Sequence, residues 1–395
     1  LSEKCLVTLK LSKLTGPVQA MGRELAARER EQAGLAALAR KWLAEYADQG
    51  EPLRHPARAL GRTAIPTDEP FDAIHPLPAI PDRLTVVAAD GSLIQPDRHS
   101  AALYYVINVG SLVYRHGSGE PPLAHSEPTL GYTEADLYEN GLLVAGNLLD
   151  VRRDQAEITR LAALCAAEPP SPTVALVDGT LILWVLEERP EAWQRAKVMA
   201  YLDQLERIRK AGAAVAAFIS RPRRGEVTRL LYLASVGGDP NRAAQEPNPL
   251  EHLPDRVLFE HLPAGARSAL FIHPSPINDK YYAPSGHAVH FCYLNVAGEG
   301  REPVIARLEA PAWVAQDADL LALVHGVAVS QARISGDYPY ALARADELAF
   351  ISGAEREAFE EMIATSLLQA GLRTALSPKQ YYKTLTRRGR RRHRV

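Results

Sequence analysis

Two aspartates close matching runs in this chain, Leu84-Thr-Val-Val-Ala-Ala-Asp90-Gly91-Ser92 and Val174-Ala-Leu-Val-Asp178-Gly179-Thr180. Each run is apolar, rich in β-branched residues and too short for a helix, which is the pattern of a buried strand. Each ends in Asp-Gly-hydroxyl, where glycine permits a sharp turn and a close approach to whatever the carboxylate meets. A single Asp-Gly is an ordinary turn signal. A matched pair on two core strands would set two carboxylates side by side at one sheet edge, and neighbouring carboxylates are hard oxygen donors suited to divalent cations.

Helical phase points to two further acids. In the helix expected around Arg152 to Ala167, Glu157 lies four and seven residues before Leu161 and Leu164, inside the apolar stripe. A buried carboxylate needs a cation or donors. In the helix expected to start at Pro339, Asp346 lies four residues after Leu342 and three before Ala349, again on the inner face, with Tyr338 beginning the same stripe. Asp90, Glu157, Asp178 and Asp346 together could bind two Mg²⁺ or Mn²⁺ ions. Two such ions can activate a water and stabilise the leaving oxygen in phosphodiester hydrolysis, the chemistry of a nuclease.

These residues require an α/β scaffold. Strands are expected at 84–90, 173–178 and 214–220, with 102–108 and 110–115 as a hairpin turning at Gly110, and with 268–273, 288–296 and 303–309 completing a mixed sheet. Helices are expected near 133–146, 150–167, 191–211, 315–332, 338–350 and 353–371. Ahead of them, residues from about Val18 to Tyr46 have the Leu spacing of a long amphipathic helix, and a connector with Pro66, Pro70, Pro76, Pro78 and Pro81 should lack regular structure. The expected organisation is an N-terminal helical segment and connector (1–82), a core domain (83–352), and a C-terminal helix with a basic tail (353–395). Residues from Gly237 to Pro254 read as a mobile surface loop.

Composition narrows the class. At 395 residues, 47% hydrophobic and 23% charged, the chain has the make-up of an ordinary globular protein with a sizeable core. It has no long apolar run of membrane-spanning length, and Lys4, Lys10 and Lys13 interrupt the first residues, unlike a secretory leader, so a cytoplasmic protein without membrane association is expected. Three scattered cysteines, Cys5, Cys165 and Cys292, fit neither a disulfide framework nor a zinc site. The net charge of −2 is uninformative, but its distribution is not. Arg221, Arg223 and Arg224 follow an apolar strand, and Arg387, Arg388 and Arg390 belong to a basic terminus, two clusters able to hold a polyanion such as DNA. His273, His287 and His290 read as satisfied structural histidines, since i and i+3 on a strand face opposite ways. Trp184 and Trp313 read as core aromatics.

In this order the motifs resemble the NurA nuclease family: Ala-Asp90-Gly-Ser92, Leu-Val-Asp178-Gly-Thr-Leu181, Ala216-Ala-Phe-Ile-Ser220-Arg-Pro, Arg307-Leu-Glu-Ala-Pro311-Ala-Trp313, and Tyr338-Pro-Tyr-Ala-Leu-Ala-Arg-Ala-Asp346. The resemblance spans roughly residues 20 to 370. It implies an RNase H-like core, a homodimer, and Mn²⁺-dependent degradation of DNA by 5′-to-3′ exonuclease and single-strand endonuclease activity. It also implies a hexameric HerA-type helicase-translocase as partner in DNA end resection, repair or defence against phage. By this resemblance Asp90 and Asp178 are strand-borne metal ligands, Glu157 is the helical acid, Tyr338 positions substrate or a ligand, and Asp346 stands where the family often has His. An actin-like or sugar-kinase-type ATPase is the rival enzyme, but it would need a Gly-rich adenosine motif, for which Gly237-Gly238-Asp239 is a poor match, and there is no Walker loop. A catalytically inactive DNA-clamp adaptor is the other alternative, and retention of all four acids argues against it.

Overall fold

The computed structural model describes residues 10–98 and 100–372. Eleven strands form one mixed sheet, and its central part carries the two aspartates. The Leu84–Ile94 strand pairs antiparallel with Tyr105–His116, which pairs antiparallel with Leu123–Gly131. On its other side Leu84–Ile94 runs parallel to Thr173–Asp178, and that strand runs parallel to Ala214–Ser220. Three antiparallel strands followed by two parallel ones make the RNase H-like core, and the Ile305–Pro311 and Val289–Asn295 strands extend it antiparallel from Ala214–Ser220.

Strand alternation builds two core layers. Val87 and Ala89 face the Asn147–Ala167 and Glu191–Lys210 helices, where they meet Ile158, Leu161, Leu202 and Leu205. Val86 and Ala88 face the opposite way, toward the Ala318–Ile334 and Tyr340–Ala349 helices with Val324, Ala328, Leu342 and Ala345. Because the Asn147–Ala167 helix leads directly into Thr173–Asp178, and a parallel partner needs such a crossover, Glu157 and Asp178 are delivered to the same side of the sheet end. A third cluster packs the Thr15–Glu45 and Gly50–Leu60 helices onto the Glu226–Ser235 helix through Ala39, Leu43, Leu53 and Leu230.

Several local expectations change. Gly110 is no turn, since Tyr105–His116 is one continuous strand that places Gly110 opposite Asp90. The helix expected near 133–146 shrinks to Glu134–Leu137 with a small hairpin, Tyr138–Glu139 against Leu142–Leu143. The Leu123–Gly131 strand was not expected, because an exposed edge strand containing Pro128 carries little of the apolar alternation of a core strand. The Pro-rich connector contributes Ile65–Pro66 and Ile74–His75, which pair onto Phe271–Ile272 and Arg267–Ser268. Residues 237–254 are not a bare loop: Asp239 caps the Pro240–Gln245 helix, and Ala243, Leu250 and Leu253 are buried. Among the described residues no helix is long and apolar enough to cross a membrane. Cys165 and Cys292 are free and buried, while Cys5 lies outside the described residues.

Candidate active site

Asp90 sits at the point where Leu84–Ile94 passes from the buried core to the half-exposed sheet end, and its Oδ1 accepts the Gly91 N–H at 2.8 Å. Asp178 is the last residue of the neighbouring parallel strand; Gly179, at φ +86°, turns the chain away and donates its N–H to the Phe218 carbonyl at 3.1 Å. Glu157 faces inward as its helical phase requires and is 8% exposed. Asp346 departs from expectation. The buried face of its helix is Ala341, Leu342, Ala345 and Ala349, which leaves Asp346 exposed at the rim rather than on the inner face. From the rim its carboxyl group still lies close enough to Asp90 to repel it. Tyr338 packs edge-on against Phe218 at 5.8 Å, and its hydroxyl lies near Asp178, whose charged form it favours.

The structure therefore brings Asp90, Glu157, Asp178, Tyr338 and Asp346 to one cleft. Burial and, after it, mutual repulsion make Asp90, Glu157 and Asp178 weaker acids. Burial, with added repulsion from Asp178 and Asp346, pushes Asp90 up to about 6 against the opposing Gly91 donor. Burial drives Glu157 well above the usual carboxylate range, reinforced by Asp154, Asp90 and Asp178. Asp178 is raised as well, first by loss of water around it and then by Asp346, although the neighbouring Tyr338 hydroxyl, the Gly179 backbone and the Arg153 charge oppose this. The Tyr338 hydroxyl is pushed up by burial and by these carboxylates. Like charges held this close need a cation to be comfortable.

An arginine that sequence reasoning passed over now supplies that charge. Arg153 Nε lies 3.1 Å from Glu157 Oε1, and its Nη2 donates to Asp154 at 3.0 Å. With Arg153 among them, no three Asp, Glu, His or Cys side chains of the described residues converge closely enough to hold a metal ion as they stand. Glu157 Oε1 and Arg153 Nε are nevertheless buried without an aligned hydrogen bond, so the contact is electrostatic and poorly satisfied. The all-oxygen donor set and the unsatisfied Glu157 oxygen fit a hard divalent cation. Arg153 and Asp154 precede Glu157 by four and three residues, so i, i+3 and i, i+4 spacing was the signal that would have found them.

A cavity of about 350 Å³ opens beside these groups, lined among others by Asp150, Arg153, Asp154, Glu157, Asp178 and Trp184. Trp184 is 53% exposed on the cleft wall, which corrects its reading as a core aromatic. Trp313 is partly buried, and its Nε1 donates to His287 Nδ1 at 3.1 Å. His273, His287 and His290 are buried and lie apart from the acids of the cleft, consistent with structural roles. Arg221, Arg223 and Arg224 are exposed just beyond the Ala214–Ser220 strand, at the same sheet end as Asp178, and Arg224 pairs with Glu226 at 3.3 Å. Arg387, Arg388 and Arg390 lie outside the described residues.

The model of the NurA domain family matches residues 84–351, well over half of the chain, and that span includes all five cleft residues. No curated protein matches. Among solved structures, the NurA nuclease from Sulfolobus solfataricus is 13% identical, with 83% of this chain and 92% of that chain covered at a TM-score of 0.48. A NurA structure with manganese is 11% identical, with 88% and 98% covered at 0.45. The catalytic domain of human Endonuclease V is 13% identical, with 71% and 84% covered at 0.34. On the strength of the domain match, carried by a mixed sheet with acids where the ladder between two adjacent parallel strands ends, this chain belongs to the NurA family of nucleases.

Proposed function

We propose that this protein is a divalent-metal-dependent DNA nuclease in which Asp90, Glu157, Asp178 and Asp346 hold two ions, Mn²⁺ or Mg²⁺. The observation that carries the reading is the gathering of these acids at one sheet end, with Asp90 and Glu157 made weaker acids by burial and by neighbouring carboxylates. Such ions would polarise the phosphodiester, make the attacking water more acidic and stabilise the leaving oxygen. Asp90 and Asp178 offer oxygens just past Ala89 and Val177, the last pair of the parallel ladder between their strands, whose register holds them in place. Glu157 reaches in from its helix and Asp346 from the rim. Tyr338, whose hydroxyl lies near Asp178, would orient that carboxylate. Arg153 takes the role of a cationic partner that can leave Glu157 for a substrate phosphate. The strand-end cluster Arg221, Arg223 and Arg224 would hold the DNA backbone entering the cleft, with Arg387, Arg388 and Arg390 adding non-specific affinity.

The same reading extends to assembly. Val18, Met21 and Leu25 form an exposed stripe at helical spacing on the Thr15–Glu45 helix, which supports pairing of two copies. Family membership supports 5′-to-3′ exonuclease and single-strand endonuclease activity, with a HerA-type hexameric translocase as partner in DNA end resection, repair or phage defence in the cytoplasm. The test is degradation of labelled single- and double-stranded DNA with Mn²⁺, Mg²⁺ or chelator, with and without such a hexamer. Cleavage should require the metal and proceed without added nucleotide. Metal-independent cleavage, or hydrolysis of nucleotide in place of DNA, would overturn the reading.

A further inference from the structure

One buried ionic network lies outside the cleft and ends on its edge. Arg307 and Glu309 occupy successive same-face positions of the Ile305–Pro311 strand and are 2% and 1% exposed. Glu309 Oε2 accepts the Thr180 hydroxyl at 2.7 Å and the Leu181 N–H at 3.0 Å. Thr180 Oγ1 in turn accepts the Ile182 N–H at 3.1 Å. These are the residues that immediately follow Asp178 and Gly179. The other oxygen of Glu309 lies 2.9 Å from Arg307 Nη2. Arg307 also pairs with the buried Glu226, and its guanidinium stacks 3.6 Å from the Phe291 ring centroid. Glu226 is held down to about 2 although burial opposes this, because Arg307 lies beside it.

Burying such a network is costly, and apolar residues of similar size are often at least as stabilising. A core would gain nothing from it that leucine could not supply. What leucine could not supply is an acceptor for the two donors of the turn after Asp178.

We propose that Glu309, aimed by Arg307, is a positioning residue that fixes the Asp178-Gly179-Thr180-Leu181 turn and so sets where the Asp178 carboxylate stands. The inference rests on the nuclease reading of the cleft for its consequence, but its structural part does not. Glu309→Gln is the informative substitution. An amide has one acceptor oxygen: turned to Thr180 and Leu181 it presents N–H to the Arg307 guanidinium, and turned the other way it presents N–H to two donors.

In the metal-free protein, Glu309→Gln should speed hydrogen exchange at the Leu181 and Ile182 amides. Binding of Mn²⁺ followed by calorimetry should weaken by about tenfold or more, as is usual when a partner behind a metal ligand is lost. Turnover should fall while the KM for DNA stays near that of the wild type. Thr180→Val should reproduce these effects with the ion pairs intact, which decides the matter should Glu309→Gln fail to fold, and Thr180→Ser should behave as wild type. Unchanged exchange and unchanged Mn²⁺ affinity in both Glu309→Gln and Thr180→Val, with only a lower melting temperature, would reduce the network to core packing and overturn the proposal. Altered exchange in a protein whose wild type cleaves no DNA would support the positioning role and instead refute the nuclease reading.

Discussion

Gly110 is the residue on which the placement of Asp346 depends. It lies opposite Asp90 in the antiparallel ladder, and the helix Tyr340–Ala349 runs directly over it. A Cβ at this position would lie 2.2 Å from the Ala345 carbonyl oxygen, 2.4 Å from the Ala349 nitrogen and 2.8 Å from the Leu348 carbonyl carbon. All three are backbone atoms, so no side chain can swing aside. Restoring an ordinary contact of 3.4 Å or more from 2.2 Å moves the helix by over 1 Å. The helix is also tethered there, since Asn108 Nδ2 donates to the Ala349 carbonyl at 2.8 Å. Gly110→Ala should therefore destabilise the fold by about 1–3 kcal/mol, the usual cost of overpacking, measured by urea or thermal unfolding. Because Asp346 rides on the displaced helix while Asp90 stays on its strand, DNA cleavage should drop by about 100-fold, the penalty typical of a 1 Å misplacement. Gly34→Ala, in the N-terminal helix with nothing near its Cβ, is the control and should gain about 0.5–1 kcal/mol. Wild-type stability and wild-type cleavage in Gly110→Ala would refute the claim that this contact sets the geometry of the site.

Three other outcomes follow from the same structure, and a fourth from the sequence. Asp90→Asn and Asp178→Asn should each abolish Mn²⁺-dependent cleavage yet melt no lower than wild type in chelator, because each removes a charge from a repelling group; full activity in either would sink the metal-ligand assignment. Asp346→His should keep substantial activity where Asp346→Ala loses it, both read from cleavage rates at saturating Mn²⁺, and equal rates for Asp346→Ala and wild type would remove this residue from the site. His273, held neutral by burial with its pKa lowered from 6.5 to about 4, accepts the Ser275 N–H at 3.1 Å. The unfolded chain takes up that proton first as pH falls, so the contribution is whole above pH 6.5 and is lost toward pH 4; wild type should lose up to about 3 kcal/mol across this window that His273→Asn does not, and parallel stability curves would refute it. Deleting the residues after Tyr382 should weaken DNA binding and flatten its dependence on salt, and an unchanged slope in fluorescence titrations would deny the tail a role.

Local pattern was enough to find the strands that carry Asp90 and Asp178, but Asp-Gly marks an end only at Asp178; the other strand runs on through Asp90, Gly91 and Ser92 to Ile94, because Tyr105–His116 continues to pair with it. It was enough for Glu157 too, since i, i+4 and i, i+7 apolar partners leave little freedom in helical phase. Asp346 exposes the limit of the same logic. Leu342 and Ala349 bracket it, yet the small residues Ala341 and Ala345 are the ones that let the helix lie against the sheet, and they turn Asp346 to the rim. Gly110 reads as a turn in isolation, because its true cause, a helix backbone resting on a strand, involves residues far away in sequence. Arg307 and Glu309 show the ion-bearing alternation of a half-exposed strand, and only the covering layer reveals that both are buried.

The amino-acid sequence alone thus determined the family, the strands that carry Asp90 and Asp178 and the inward phase of Glu157, all of which depend on neighbours within a few residues. Tertiary structure decided which of those acids face one another, which arginine stands between them, and what holds the turn after Asp178. Those relations arise where layers pack, and packing is set by the shapes of surfaces that no local pattern encodes.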